Sequence, residues 1–133
     1  MSYDPLDSGL VRAGSLMYGL VRDLTIAGHL VKCAARFGLK ARNFDHAGAF
    51  MASVRELRPF LAVLDFDNLE VEAYKTLNEM RGNADFRSVP LVGFVSRSRV
   101  AVKNEAEQAG CDRIYLKTEF LHGLSDIITR YAK

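Results

Sequence analysis

Cysteine is scarce in this chain. Cys33 and Cys111 form no CxxC pair, so neither a disulfide framework nor a zinc site is encoded, and a cytoplasmic, reducing setting is expected. No apolar run reaches the ~18 residues that a membrane-spanning helix requires. A signal peptide is not expected either, because Met1–Gly14 carries Asp4, Pro5, Asp7 and Ser8 instead of a basic start and an apolar core. The segment reads as a flexible lead-in. Charge of one sign is also in short supply: 18 basic against 16 acidic side chains leave a formal +2, too little to point to nucleic acid. What is present is ordinary globular composition, 49% hydrophobic and 26% charged over 133 residues. A chain of that length buries roughly two-thirds of its unfolded surface. One domain over residues 15–133 is expected.

Within that span, strand-like and helix-like patterns alternate. Leu16–Val21 is a short apolar run, as in a strand covered on both faces. Asp23 stands at an N-cap position, and Leu24, Ala27, Leu30, Val31, Ala34 and Phe37 follow at helical spacing up to Gly38. Leu39–Phe44 alternates. Asp45 is placed to cap a second helix carrying Phe50, Met51, Val54 and Leu57, which Pro59 stops. Phe60–Leu64 is the strongest strand and ends on Asp65; a helix over Leu69–Arg81 follows. Pro90 opens the run Leu91–Val95, Arg97–Ala109 is helix-like with Gly110 as its stop, and Ile114–Leu116 leads into Lys117. A last helix shows Phe120, Leu121, Leu124, Ile127, Ile128 and Tyr131 on one stripe. This order requires right-handed crossovers and a five-stranded parallel sheet between two helical layers, a three-layer doubly wound (βα)5 fold of flavodoxin-like or receiver-like type. Chemistry in such sheets collects at the carboxyl ends of the strands. That rule singles out Val21, Arg22 and Asp23, then Asp65, Val95 with Ser96, and Lys117. Lys117 is expected to reach across the sheet end towards Asp65.

Three stretches carry a family likeness. Phe60–Arg81 sets an apolar strand closed by Asp65 before a loop and a helix ending Glu79-Met80-Arg81. Ser88-Val89-Pro90-Leu91-Val92 enters the fourth strand, and Gln108–Lys117 runs through an Ala-Gly turn and a strand to a terminal lysine. In order and spacing the chain resembles the receiver domain of two-component response regulators of the chemotaxis-regulator type. The resemblance implies a phosphoacceptor position at Asp65, a phosphate-pairing lysine at Lys117, and a Mg²⁺ ion held by an acidic pair ending the first strand. It implies other signalling proteins as partners: a histidine kinase in a phosphorelay, or a second copy docked through the face of the fourth helix, fifth strand and fifth helix. No nucleic acid, membrane or enzymatic activity is implied.

The chain departs from that pattern where the metal would sit. Counting back from Gly38 without a gap puts Val21 and Arg22 at the acidic positions; a one-residue gap puts Arg22 and Asp23 there. Either way a guanidinium replaces a carboxylate, removing an oxygen ligand and adding repulsion worth about 1 kcal/mol at about 4 Å even in water. Arg22 either pairs with Asp65 or points to solvent. What remains is no metal site, or a weak one on Asp23 and Asp65 with Asp67 as a loop ligand. Val95 takes the switch-hydroxyl position with Ser96 one place later, Ile114 takes the position of the switch aromatic, and Thr118 follows Lys117 in place of proline. The expected function is a pseudo-receiver: a stand-alone signalling domain acting through protein–protein contacts, without a cofactor. The alternative is a working single-domain response regulator phosphorylated on Asp65 with Mg²⁺. A flavodoxin-like cofactor binder is disfavoured, since Arg22-Asp23-Leu24-Thr25 lacks a phosphate-cradling glycine loop. His29, His46 and His122 are isolated, Cys33 and the methionines Met51 and Met80 read as core, and Cys111 as a turn residue open to solvent.

Overall fold

A computed structural model describes residues 15–68 and 71–131. The expected lead-in over Met1–Gly14 and the expected helix start at Leu69 lie outside them. In chain order the elements are β1 (Leu16–Leu20), α1 (Leu24–Arg36), β2 (Lys40–Phe44), α2 (Ala47–Glu56), β3 (Leu61–Asp65), α3 (Ala73–Gly82), β4 (Leu91–Val95), α4 (Ala101–Gln108), β5 (Arg113–Leu116) and α5 (Lys117–Tyr131). The strands form one parallel sheet in the order β2-β1-β3-β4-β5. The order reverses between β1 and β3, which places the crevice for chemistry beside their carboxyl ends.

The period-two geometry of strands sorts the sheet's side chains into two layers. Tyr18, Leu20, Ala62, Leu64, Leu91, Val95 and Ile114 face α2, α3 and α4, packing with Phe50, Met51, Leu77, Met80 and Ala106. Met17, Val21, Leu61, Val63, Val92 and Phe94 face α1 and α5, packing with Ile26, Leu30, Cys33, Phe120, Leu124 and Ile128. Each of the large side chains so buried contributes roughly 1.5–3 kcal/mol. The central strands β1, β3 and β4 are dry on both faces, so their polar residues are confined to the strand ends, while the edge strand β2 carries Lys40, Arg42 and Asn43.

Several local expectations are corrected. The buried stripe of α1 is Ile26, Leu30, Cys33 and Ala34, a face at i, i+4, i+7 and i+8 that leaves Leu24 and Val31 pointing outward. Helix α2 is capped by His46, whose Nδ1 accepts from the Ala49 amide, not by Asp45, and Leu57 at its end is exposed. Helix α3 starts only at Ala73, with Glu72 in the left-handed region at φ 56°. The fourth helical segment is split: a 3-10 turn over Arg97–Arg99 precedes α4. Cys111 is buried, its thiol donating to the Leu91 carbonyl at 3.3 Å, and burial pushes its pKa up to about 12. Gly38 closes α1 at φ 71° as expected.

Candidate functional site

Four loops converge at the carboxyl end of the sheet. After β1 the chain turns into α1 at Asp23, whose Oδ1 accepts from the Ile26 amide as an N-cap. The β1 end is held from the neighbouring strand by Asn43, which donates to the Val21 carbonyl at 2.9 Å. After β3 the chain passes Asp65, Phe66 and Asp67; after β4 it enters Ser96; after β5 it turns directly into α5, with Lys117 as the first helical residue.

Asp65 is 2% exposed. Its Oδ1 accepts from the Asp67 amide at 2.9 Å and its Oδ2 from the Arg22 amide at 3.3 Å. Burial is the larger influence and raises its pKa above the usual carboxylate value despite these two donors. The contact between Arg22 and Asp65 is thus made by the main chain, and residue Arg22 is exposed.

Lys117 does not reach Asp65 as expected. Its ammonium donates to Asp23 Oδ2 at 2.9 Å and lies 3.7 Å from Asp67 Oδ2. The reason is geometric: Lys117 leaves the first turn of α5 with both Asp23 and Asp67 nearer solvent than the recessed Asp65. The hydrogen bond from Lys117 holds Asp23 below the ordinary carboxylate range, and the same bond holds Lys117 above the ordinary ammonium range.

Asp67 is the hub. Its Oδ1 accepts from both the amide of Ser96, at 2.9 Å, and the hydroxyl of Ser96, at 3.1 Å. Its carbonyl accepts from the Arg99 guanidinium at 3.0 Å, and Ser98 lies 3.1 Å from the Ser96 hydroxyl. Sequence reasoning placed Asp67 only as a loop ligand and missed Arg99 and Asn43 altogether. The sole signal for Arg99 was a basic run after β4, and nothing in the pattern of β2 marked Asn43.

The remaining expectations divide. Val95 points into the core and Ser96 meets the acidic cluster. Ile114 and Tyr115 face opposite sides of β5, Tyr115 packing towards α5 with Phe120 at a ring distance of 6.3 Å. Phe120, on the stripe of the last helix, is fully buried and does not reach the surface.

A Mg²⁺ ion, which receiver domains employ, does not fit this donor set. The two outer carboxylates already share an ammonium, and both oxygens of Asp65 are taken up by main-chain donors. Among the described residues no group of three or more His, Cys, Asp or Glu side chains is arranged to hold a metal.

No family model and no curated protein matches the chain in sequence. Solved structures do match it in fold. A response regulator from Hahella chejuensis superposes with a TM-score of 0.79 at 12% identity, over 89% of this chain and 95% of its own. The signal receiver domain of a signal transduction histidine kinase from Syntrophus aciditrophicus gives 0.78 at 18% identity, over 90% of each chain. The receiver domain of a sensor histidine kinase from Pseudomonas aeruginosa, solved with magnesium coordinated in its active-site cleft, gives 0.77 at 16% identity, over 90% of this chain and 98% of its own. The chain therefore has the receiver-domain fold.

Proposed function

We propose that the chain is a pseudo-receiver signalling module that works by binding protein partners and does not depend on Mg²⁺-assisted phosphorylation. The observation that carries this reading is the Lys117 ammonium seated between Asp23 and Asp67. The acidic end of the sheet is neutralised from within, and a divalent ion would have to displace a cation already in contact with both carboxylates. The partner surface in this reading is the α4-β5-α5 face. Val100, 53% exposed just before α4, Arg113 stacked 5.3 Å from the Tyr115 ring, and Lys103 give it apolar and basic character. Such a face suits a signalling partner with an acidic, partly apolar surface, a histidine kinase or a second copy among them.

The alternative, phosphorylation on Asp65 by a histidine kinase, draws support from one observation: Asp23, Asp65 and Asp67 do gather at one end of the sheet. Incubation with a small-molecule phosphoryl donor, with and without Mg²⁺, separates the two by intact mass. The pseudo-receiver reading expects no adduct under either condition. A Mg²⁺-dependent adduct that Asp65→Asn removes would establish the alternative.

A further inference from the structure

The end of the sheet opposite Asp65 carries a second concave surface. Helix α2 ends at Glu56, and Leu57, Arg58 and Pro59 lead from it towards β3. Helix α3 ends at Gly82, and the chain from Asn83 to Pro90 leads towards β4. Between these two connections lies an open groove of about 660 Å³, with Arg55, Leu57, Arg58, Asn83, Asp85 and Phe86 in its lining. Specific ligand sites span roughly 300–1,000 Å³. Hydrogen bonds build both walls in advance. On one, the Leu57 amide donates to the Ser53 carbonyl, and the Leu57 carbonyl accepts from the buried Tyr18 hydroxyl at 2.7 Å. On the other, the Asn83 carbonyl accepts from the amides of Phe86 and Arg87, and the Arg81 guanidinium clamps the loop through the Arg87 and Val89 carbonyls. Arg58 joins the two walls, its Nη1 donating to the Asp85 carbonyl at 3.0 Å. A groove tied in this way needs little reordering to receive a ligand, which removes an entropic cost of binding.

The lining also has a definite chemistry. The Arg58 bond goes to an uncharged main-chain carbonyl, so it orients the guanidinium without cancelling its charge. Asn83 Oδ1 accepts from the Asp85 amide at 2.8 Å, which leaves the Nδ2 donors on the other limb of the side-chain amide. Arg55 is matched by Glu79 at 2.9 Å, and Arg42 and Glu56 both act on the Tyr18 hydroxyl. Setting these pairs aside leaves Arg58 and the exposed Arg87 against the carboxylate of Asp85, a rim of net positive charge. Beside it Leu57 is 55% exposed, with Phe86 buried in the wall. A guanidinium fork next to an exposed leucine suits a carboxylate carried beside an aliphatic side chain.

We infer that this groove is a docking site for an acidic segment of a partner protein, with an Asp or Glu carboxylate on Arg58 and Asn83 and a neighbouring aliphatic side chain covering Leu57. Charge complementarity selects the occupant, and the hydrogen-bonded walls fix where it lies. The groove is at the amino ends of β3 and β4, away from both the cluster at Asp65 and the α4-β5-α5 surface. It therefore goes beyond the proposed function and stands whether or not Asp65 accepts a phosphoryl group. A segment held there leaves the other surface open to a second partner.

The test is an amide NMR titration of the full chain with a blocked peptide, acetyl-Glu-Leu-Asp-Leu-Glu-amide, beside its neutral counterpart acetyl-Gln-Leu-Asn-Leu-Gln-amide. The acidic peptide is expected to give saturable shifts at Leu57, Arg58, Asn83, Asp85 and Phe86, and to bind about tenfold or more tightly than the neutral one. Arg58→Met is expected to lose about tenfold in affinity, and Arg58→Lys, which keeps the charge without the fork, to restore only part of it. Leu57→Ser, at an exposed position, is expected to weaken binding about threefold or more. Should Arg58→Met disturb the loop by releasing the Asp85 carbonyl, the wild type carries the test through salt, its affinity falling as ionic strength rises from about 0.05 to about 0.5 M. No saturable shift with the acidic peptide, or equal binding of the two peptides, overturns the inference. Shifts confined to Val100, Lys103 and Arg113 also overturn it, while leaving the α4-β5-α5 surface of the proposed function intact.

Discussion

Replacing Lys117 by methionine removes the ammonium while keeping an unbranched, helix-compatible side chain of similar reach. The ammonium sits 2.9 Å from Asp23 and 3.7 Å from Asp67, with its side chain 35% exposed and theirs 27% and 18%. Ion pairs open to water are worth about 0.2–1 kcal/mol each, and this degree of exposure keeps the present ones near that range. Loss of the closer pair, plus the repulsion left between two carboxylates without a shared counter-ion, puts the cost at about 1–2 kcal/mol at neutral pH. For a domain of this size that lowers the melting temperature by about 3–8 °C. The pH dependence identifies the cause. Asp23 has its pKa lowered from 3.8 in the folded state, so its contribution is present above 3.8 and disappears as pH falls through the lowered value. Lys117 has its pKa raised from 10.5, so its share is intact below 10.5 and is lost as pH rises through the higher value. Urea denaturation of both proteins across this range should show a gap on the neutral plateau that closes at both acid and alkaline extremes and narrows in high salt. A gap that is absent at neutral pH, or that persists unchanged in acid, would refute the electrostatic account of the site.

Two further outcomes follow from the same geometry. The carboxylates of Asp23 and Asp65 should titrate in opposite directions from 3.8, Asp23 below it because of Lys117 and Asp65 above it because of burial, as read by carboxyl-carbon NMR shifts. The Asp65 contribution to stability accordingly declines as pH rises from 3.8 through its raised value, the reverse of the Asp23 trend. Gly93→Ala in β4 should cost about 1–3 kcal/mol by chemical denaturation, since its methyl group would lie 2.6 and 2.7 Å from the Phe66 ring and 2.8 Å from Ile114.

The three central strands were legible because both of their faces are dry, so β1, β3 and β4 each announce themselves as an apolar run; β4 falls where Leu91–Val95 predicts and β3 one residue on from Phe60–Leu64. Element ends were less legible. His46 displaced Asp45 as the cap of α2, and Glu72 starts α3 from a left-handed conformation that a glutamate does not advertise. At the site, Asp65 and Lys117 stand at the strand ends that topology assigns them, but their partners do not follow from topology. Which acid receives the ammonium depends on how deeply each carboxylate is recessed, a property of loops meeting in space. For the same reason Asp67 emerged as the hub only when the loop after β4 was seen to aim Ser96 and Arg99 at it.

The central claim is that an internal ammonium has replaced the divalent ion between the acidic loops. It is tested most directly by titrating the wild-type protein with Mg²⁺ and following the amides of Asp23, Asp65 and Asp67 by NMR. The account predicts no saturable shift at millimolar Mg²⁺ in the wild type, and one in Lys117→Met. Saturable binding of Mg²⁺ at these amides in the wild type would contradict it.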